Sequence, residues 1–258
     1  MTHPYLTGAR HPRVLAHRGL ISAEGEDSAV WENTAASFAA AHAAGAEYIE
    51  TDCRLTADGD VVLFHDDTLQ RLAGDTRRID ELRTRELAAV LAEHGGLLTV
   101  PDALDAFPGI RFNIDVKTDA AAEPLGRAVA DHTERVLVTS FSDARRTRAV
   151  AAALRAGAAI RPATSGGRAT IAALKSLSAA RLSPARVLAA IDAVQVPERQ
   201  GPLRIVTPAF IRSAHGAGVE VHVWTVNEAA DMMRLVAAGA DGVVTDRTDL
   251  ALEVLAPF

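Results

Sequence analysis

The chain has 258 residues, 48% of them apolar and only 4% aromatic, with a formal charge of −6. That length suits one (β/α)8 barrel or two small domains, and the negative balance argues against a nucleic-acid partner, which calls for a basic face. The single cysteine, Cys53, excludes an internal disulfide; with no apolar leader in the first residues and no apolar run long enough to span a bilayer, the expectation is a cytoplasmic protein with no integral membrane segment.

Along the chain one unit recurs. An Ala-rich helical stretch ends in glycine (Gly45, Gly157, Gly218, Gly239) and a Val- or Ile-rich extended run follows. Glycine beyond a helix closes its last turn in the left-handed conformation, and a β-branched run suits a strand buried on both faces. Alternating units of this kind predict a parallel sheet. Eight strands are expected near 14–17, 47–52, 111–116, 136–140, 158–162, 193–196, 220–225 and 242–245. Eight units favour closure, so the predicted fold is one α/β domain over 1–258, a TIM (β/α)8 barrel with a short insertion after the second strand. No GxGxxG follows the first strand, which weakens a dinucleotide-binding alternative. Between the second and third strands, Asp58–Gly59 reads as a tight turn and 61–65 as an extra strand; the insertion proper, 67–100, contains a helix expected over 79–91 and a Gly95–Gly96 break. Such an insertion is either a surface excursion or a wall of the site.

In such a barrel the reactive side chains stand at the carboxyl ends of the strands. There the sequence places His17-Arg18-Gly19, Glu50-Thr51-Asp52, His65-Asp66-Asp67, Asp115-Val116-Lys117, and His222, Trp224 and Asn227. Residues two apart on a strand share a face, so Glu50 with Asp52, and Asp115 with Lys117, bring three carboxylates to one mouth. Either they make ordinary salt bridges, or they hold a divalent metal ion; oxygen ligands alone favour Mg²⁺ or Ca²⁺ over zinc. His17 and His65 have the side chain best suited to proton transfer near neutral pH. Arg18 and Lys117 either grip a phosphate or only pair with the local acids. Glu32-Asn33-Thr34 reads as the start of a helix, His222 as core packing, and Cys53 as a small buried residue on the opposite face from Asp52.

These motifs together, LAHRGL, then ENTAASFAAAHAAGAEYIETDCRLTADGDVVLFHDDTLQR, FNIDVK, HVWTVNE and DGVVTD, resemble the glycerophosphodiester phosphodiesterase family from about His17 to Asp246. The resemblance implies a TIM barrel, a divalent metal ion and a small-molecule glycerophosphodiester substrate cleaved to glycerol 3-phosphate and an alcohol. It makes His17 and His65 the general acid and base, Glu50 and Asp52 metal ligands, and Arg18 and Lys117 phosphate contacts, with Asp115 the third candidate ligand from the strand ends. It also moves Glu32 into the site and makes Phe141 and Trp224 apolar walls. One departure stands out: the family pattern Glu-x-Lys reads Asp115-Val116-Lys117 here, and aspartate, one methylene shorter, reaches an ion only if the ion shifts or a water bridges. Three rivals remain: lysophospholipid hydrolysis of the phospholipase D type over a groove of Leu87, Val90, Leu91, Leu97 and Leu98; a non-catalytic phosphoester-binding barrel; and a Schiff-base enzyme using Lys117.

Overall fold

The computed structural model describes residues 2–21 and 30–258, and in it eight parallel strands wrap into a barrel ringed by helices. In chain order the strands are β1 (Arg13–His17), β2 (Tyr48–Leu55), β3 (Val61–Leu63), β4 (Arg111–Val116), β5 (Val136–Thr139), β6 (Ala163–Thr164), β7 (Ala193–Pro197), β8 (Arg199–Gln200), β9 (Leu203–Arg204), β10 (Glu220–Trp224) and β11 (Gly242–Thr245). The parallel ladder runs β6-β5-β4-β2-β1-β11-β10-β7. The remaining seam, between β6 and β7, carries a single parallel bridge from Ser165 to Ala193, reinforced by Asp192 N–H donating to the Thr164 carbonyl at 2.9 Å. β3 turns back antiparallel along β2, and β8 and β9 form a separate two-stranded ribbon.

Helix α1 (Ala35–Ala43) joins β1 to β2. The stretch from β3 to β4 holds α2 (Gln70–Ala73), α3 (Thr84–Leu91) and α4 (Val100–Ala106). Then follow α5 (Asp119–Ala128), α6 (Asp143–Arg155), α7 (Arg168–Ala179), α8 (Ala185–Leu188), α9 (Pro208–His215), α10 (Ala229–Ala237) and α11 (Thr248–Val254). Strand alternation sorts the side chains into layers. Ile49 and Cys53 of β2 pack outward among Phe38 and Ala41 of α1 and Ile114 and Val116 of β4. Each Val, Leu or Ile so buried stabilises by roughly 1.5–3 kcal/mol. The lumen is filled by Leu15, Tyr48, Leu137, Ala163, Ala193 and Val244, and Tyr5 and Leu6 join this cluster from the N-terminal segment. Filling that end leaves the other, where the strands finish, for a cavity.

Three expected elements differ in extent. The fifth barrel strand, expected at 158–162, lies at Ala163–Thr164; Pro162 has no N–H for a ladder, and Arg161 is occupied by Asp192 at 2.6 Å. The extra strand stops at Leu63, before His65. The helix expected over 79–91 is a 3-10 turn, Ile79–Glu81, and then α3, whose Leu87 and Leu91 pack into a cluster with Val62, Phe64 and Leu69. Leu97 and Val90 flank that cluster, so the apolar stripe suggested for a lipid groove is largely spent on packing the insertion to the barrel.

Candidate active site

β1 ends at His17, and the chain turns at once beneath α1. Arg18 (φ 58°) and Gly19 (φ 94°) both adopt left-handed backbone. The Arg18 carbonyl accepts from Asn33 N–H at 2.9 Å and from the Ser37 hydroxyl at 3.2 Å, which aims Arg18 across the barrel mouth. Helix α1 is capped by Thr34, whose side chain accepts from Ser37 N–H, so Glu32 precedes the helix rather than starting it.

A cavity of about 190 Å³ opens at this end of the barrel. His17, Arg18, Glu50, Asp52, His65, Asp115, Lys117, Phe141 and Trp224 all line it, nine of the ten side chains expected to form the site. Glu32 is the exception: it stands beside the cavity and pairs with Arg18 at 2.9 Å and with Arg71. Phe141 and Trp224 make an edge-on ring pair 6.1 Å apart, and the Lys117 ammonium and the Arg168 guanidinium lie 5.8 and 4.8 Å from the Phe141 ring centre. The apolar wall thus carries positive charge over its face.

Both histidines are tethered by one nitrogen. His17 Nδ1 lies 2.6 Å from Asp246 Oδ1, and Asn227 Nδ2 donates to the other Asp246 oxygen at 2.8 Å. Burial opposes a charged His17 ring, but the hydrogen bond it donates to Asp246 and the charge of Glu50 prevail and raise its pKa. His65 Nδ1 lies 2.7 Å from Asp66 Oδ1. Burial likewise works against ionised Asp66 and Asp246, yet their histidine partners hold both below the usual carboxylate range. An ionised carboxylate only accepts, so Nδ1 carries the proton in each ring and Nε2 keeps its lone pair. His17 Nε2 is 3.8 Å from Glu50 Oε2.

The carboxylates are not equivalent. Asp52 is ion-paired to Lys117 at 2.7 Å and to Arg18 Nε at 3.0 Å, and it accepts from Asn33 Nδ2 at 3.1 Å. Burial would raise its pKa, but Lys117 and Arg18 hold it below the ordinary value. Asp115 spends Oδ2 on Lys117 at 2.6 Å, while its Oδ1 is buried with no partner among the described residues. Glu50 Oε2, facing His17 Nε2, likewise makes no hydrogen bond among the described residues, and burial, then Asp52, push the Glu50 carboxyl up to about 8. Two orphaned buried oxygens and a carboxyl this reluctant to ionise suit a hard, oxygen-seeking cation. The expected three-carboxylate cage is nonetheless not assembled: Lys117 bridges Asp52 and Asp115, and among the described residues no group of three His, Cys, Asp or Glu side chains is placed to hold a metal ion.

Sequence reasoning gives no role to Asp246 or Asp66, reads Asn33 only as part of a helix start, and places Asn227 only just beyond a strand. Asp246 follows β11, so the rule that finds His17 could have found it. Asn33 (φ 59°) needs knowledge of the turn that points it at Asp52. His222, expected as core, is fully buried between Glu220 and Gln195. The buried, lone Cys53 is likewise as expected.

A sequence model of the glycerophosphoryl diester phosphodiesterase family matches residues 17–250. The chain is 38% identical to the "Probable glycerophosphodiester phosphodiesterase 2" of Mycobacterium tuberculosis, over 93% of this chain and 89% of that protein. Among solved structures, a glycerophosphodiester phosphodiesterase from Thermotoga maritima superposes with a TM-score of 0.70 at 25% identity, covering 95% of this chain and 99% of that one. A phosphodiesterase from Oleispira antarctica, solved in complex with the product sn-glycerol-3-phosphate, shares the fold with a TM-score of 0.69 at 20% identity, over 95% and 97% of the two chains.

Proposed function

The chain belongs to the glycerophosphoryl diester phosphodiesterase family and is a phosphodiesterase acting on glycerophosphodiesters; from that premise we propose that His17 and His65 are its general acid and base. The observation that carries the proposal is the matched pair of imidazoles. Each is anchored through Nδ1 on an ionised carboxylate, and each lines the same cavity. One Nε2 takes a proton from the attacking oxygen and the other gives one to the departing alcohol; attack by water yields glycerol 3-phosphate directly, whereas attack by the glycerol 2-hydroxyl yields a cyclic phosphate that a water then opens to glycerol 3-phosphate. Arg18 and Lys117, fixed among the acids, stabilise the charge gathering on the phosphoryl oxygens. Phe141 and Trp224 wall the apolar side, and Glu32 braces Arg18 with the help of Arg71.

Glu50, Asp52 and Asp115 are proposed to hold a divalent ion, Mg²⁺ or Ca²⁺. Support comes from the orphaned Glu50 Oε2 and Asp115 Oδ1; recruiting Asp52 requires Lys117 to release it. When bound, such an ion polarises phosphoryl oxygens and neutralises charge. The partner is a small molecule, not nucleic acid. A cytoplasmic setting is part of the proposal, resting on the lone reduced thiol. No helix among the described residues is long and apolar enough to cross a membrane.

The test is turnover of glycerophosphocholine by wild type, His17→Ala and His65→Ala, with Mg²⁺ or Ca²⁺ and with chelator. Either substitution should lower kcat by roughly a hundredfold or more; near-wild-type turnover removes that histidine from the mechanism. Calorimetry with each ion alone tests the metal site without turnover. Wild type should bind one of them and Glu50→Gln should bind it at least roughly tenfold more weakly, since outer partners alone already count for that much. Equal binding would dismiss Glu50 as a ligand.

A further inference from the structure

Below the acids, five polar side chains cross the lumen in one hydrogen-bonded file. Arg13 on β1 donates through Nε and Nη2 to the two oxygens of Glu220, each at 2.7 Å. Glu220 Oε2 is 3.0 Å from His222 Nε2, His222 Nδ1 is 3.4 Å from Gln195 Nε2 on β7, and Asn113 Nδ2 on β4 donates to Gln195 Oε1 at 3.2 Å. The file stops at Asn113 Oδ1, which has no hydrogen-bond partner among the described residues although Asn113 is only 1% exposed. Asn113 and Gln195 both line the site cavity.

The direction of donation along the file is fixed from its far end. Glu220, gripped twice by Arg13, can only accept, so His222 Nε2 carries a hydrogen. Gln195 turns its amide nitrogen towards His222 Nδ1 and its oxygen towards Asn113, and an amide N–H can only donate, so Nδ1 accepts. Gln195 must then give its amide hydrogen to His222 and its oxygen to Asn113. Asn113 in turn spends its NH₂ on Gln195 and has only its carbonyl oxygen left.

We infer that Asn113 presents Oδ1 to the cavity floor as the acceptor for a hydroxyl of the substrate's glycerol, and so selects a polyol phosphate over an alkyl phosphate. The inference rests on the proposed glycerophosphodiester activity and adds the residue that recognises the alcohol. A buried acceptor that loses its donor rejects a deoxy analogue strongly, because its desolvation is no longer repaid. Gln195 acts as a positioning residue, holding the amide the right way round.

The experiment compares binding, by calorimetry, of glycerol 3-phosphate, 1,3-propanediol monophosphate (no 2-hydroxyl) and 1,2-propanediol 1-phosphate (no terminal hydroxyl) to wild type, Asn113→Ala and Gln195→Leu. Wild type should bind glycerol 3-phosphate roughly tenfold to a hundredfold more tightly than one of the two analogues. In Asn113→Ala that preference should vanish, through weaker binding of glycerol 3-phosphate with the analogue unchanged; in Gln195→Leu it should shrink. A preference retained in Asn113→Ala overturns the inference. So does a wild type indifferent to both analogues, which would mean that Oδ1 is satisfied by an ordered water only. If Asn113→Ala does not fold, the wild-type preference and its response in Gln195→Leu decide. Glycerophosphocholine turnover is measured alongside: preference without turnover sinks the hydrolytic proposal alone, whereas no binding of glycerol 3-phosphate sinks both.

Discussion

Asp246 differs from its neighbours at the cavity mouth in standing behind the imidazole of His17 and setting its state. Its Oδ1 takes the Nδ1 proton of His17, so replacing it by asparagine keeps the shape and removes the charge. Asp246→Asn should therefore lower kcat by roughly a hundredfold or more; loss of the carboxylate behind the histidine of a Ser-His-Asp triad costs roughly ten-thousand-fold. The hydrogen bond raises the His17 pKa against the pull of burial, so its loss should also move the pH limb belonging to His17 to lower pH in the kcat/KM profile. A fall in rate with an unmoved limb would mean that Asp246 only packs. What is legible at this scale ends with the strand-end rule, which also covers Asp246. Strand-end position identifies His17, Glu50, Asp52, Asp115 and Lys117 from the sequence, because alternation alone decides which face they share. Asn33, Asn113 and Gln195 carry no such mark. Amides look the same on a surface and on a cavity floor, and their importance comes from partners 18 to 82 residues away.

At the scale of elements, the turn joining β1 to α1 explains why glycine follows His17-Arg18. Gly19 sits at φ 94°, and a Cβ there would lie 2.5 Å from Ser37 Oγ and 2.8 Å from the Ser37 carbonyl carbon. The same Ser37 hydroxyl donates to the Arg18 carbonyl, so pushing it away also releases the arginine. Gly19→Ala should cost at least about 2 kcal/mol, through strained backbone plus overpacking, read as the shift in urea midpoint, and it should reduce kcat/KM as well. Gly59→Ala, also at positive φ but with nothing within 4 Å of the added Cβ, is the control and should lose only the backbone part. If the two variants lose equal stability, the contact with Ser37 has no weight. Helix–glycine–strand units are readable because glycine at a helix end has a conformational reason that survives any packing. The fifth barrel strand is misplaced by sequence because Ala158, Ala159 and Ile160 look like a strand locally, whereas the seam is placed by partners in β5 and at Asp192. The helix expected over 79–91 breaks at Leu82, which is buried in the cluster beneath β3 instead of continuing the helix.

For the molecule as a whole, closure of the barrel buries ionisable groups at both depths of the lumen, and their balance should appear in its acid stability. Glu220 is the clearest case. Burial would raise its pKa, but hydrogen bonds from Arg13 and His222 outweigh that and bring it from 4.5 down to about 2. A carboxyl depressed by folding stabilises the native state fully above its unfolded value, and that contribution is lost as pH falls through the folded one. The window is therefore about 4.5 down to about 2, and the contribution at neutral pH is on the order of 3 kcal/mol at most. Glu220→Gln should be less stable than wild type at pH 7, the more so because Arg13 is left buried beside a neutral amide. The deficit should narrow steadily between pH 4.5 and 2 as wild type loses the advantage that the variant never had. Urea unfolding of both proteins across that range measures it, with the difference between the two curves cancelling the surface carboxylates they share. A deficit that stays constant with pH would show that Glu220 stabilises the barrel by its shape and not by its charge, and the polar file that it anchors would then lose the fixed direction of donation from which the role of Asn113 was inferred.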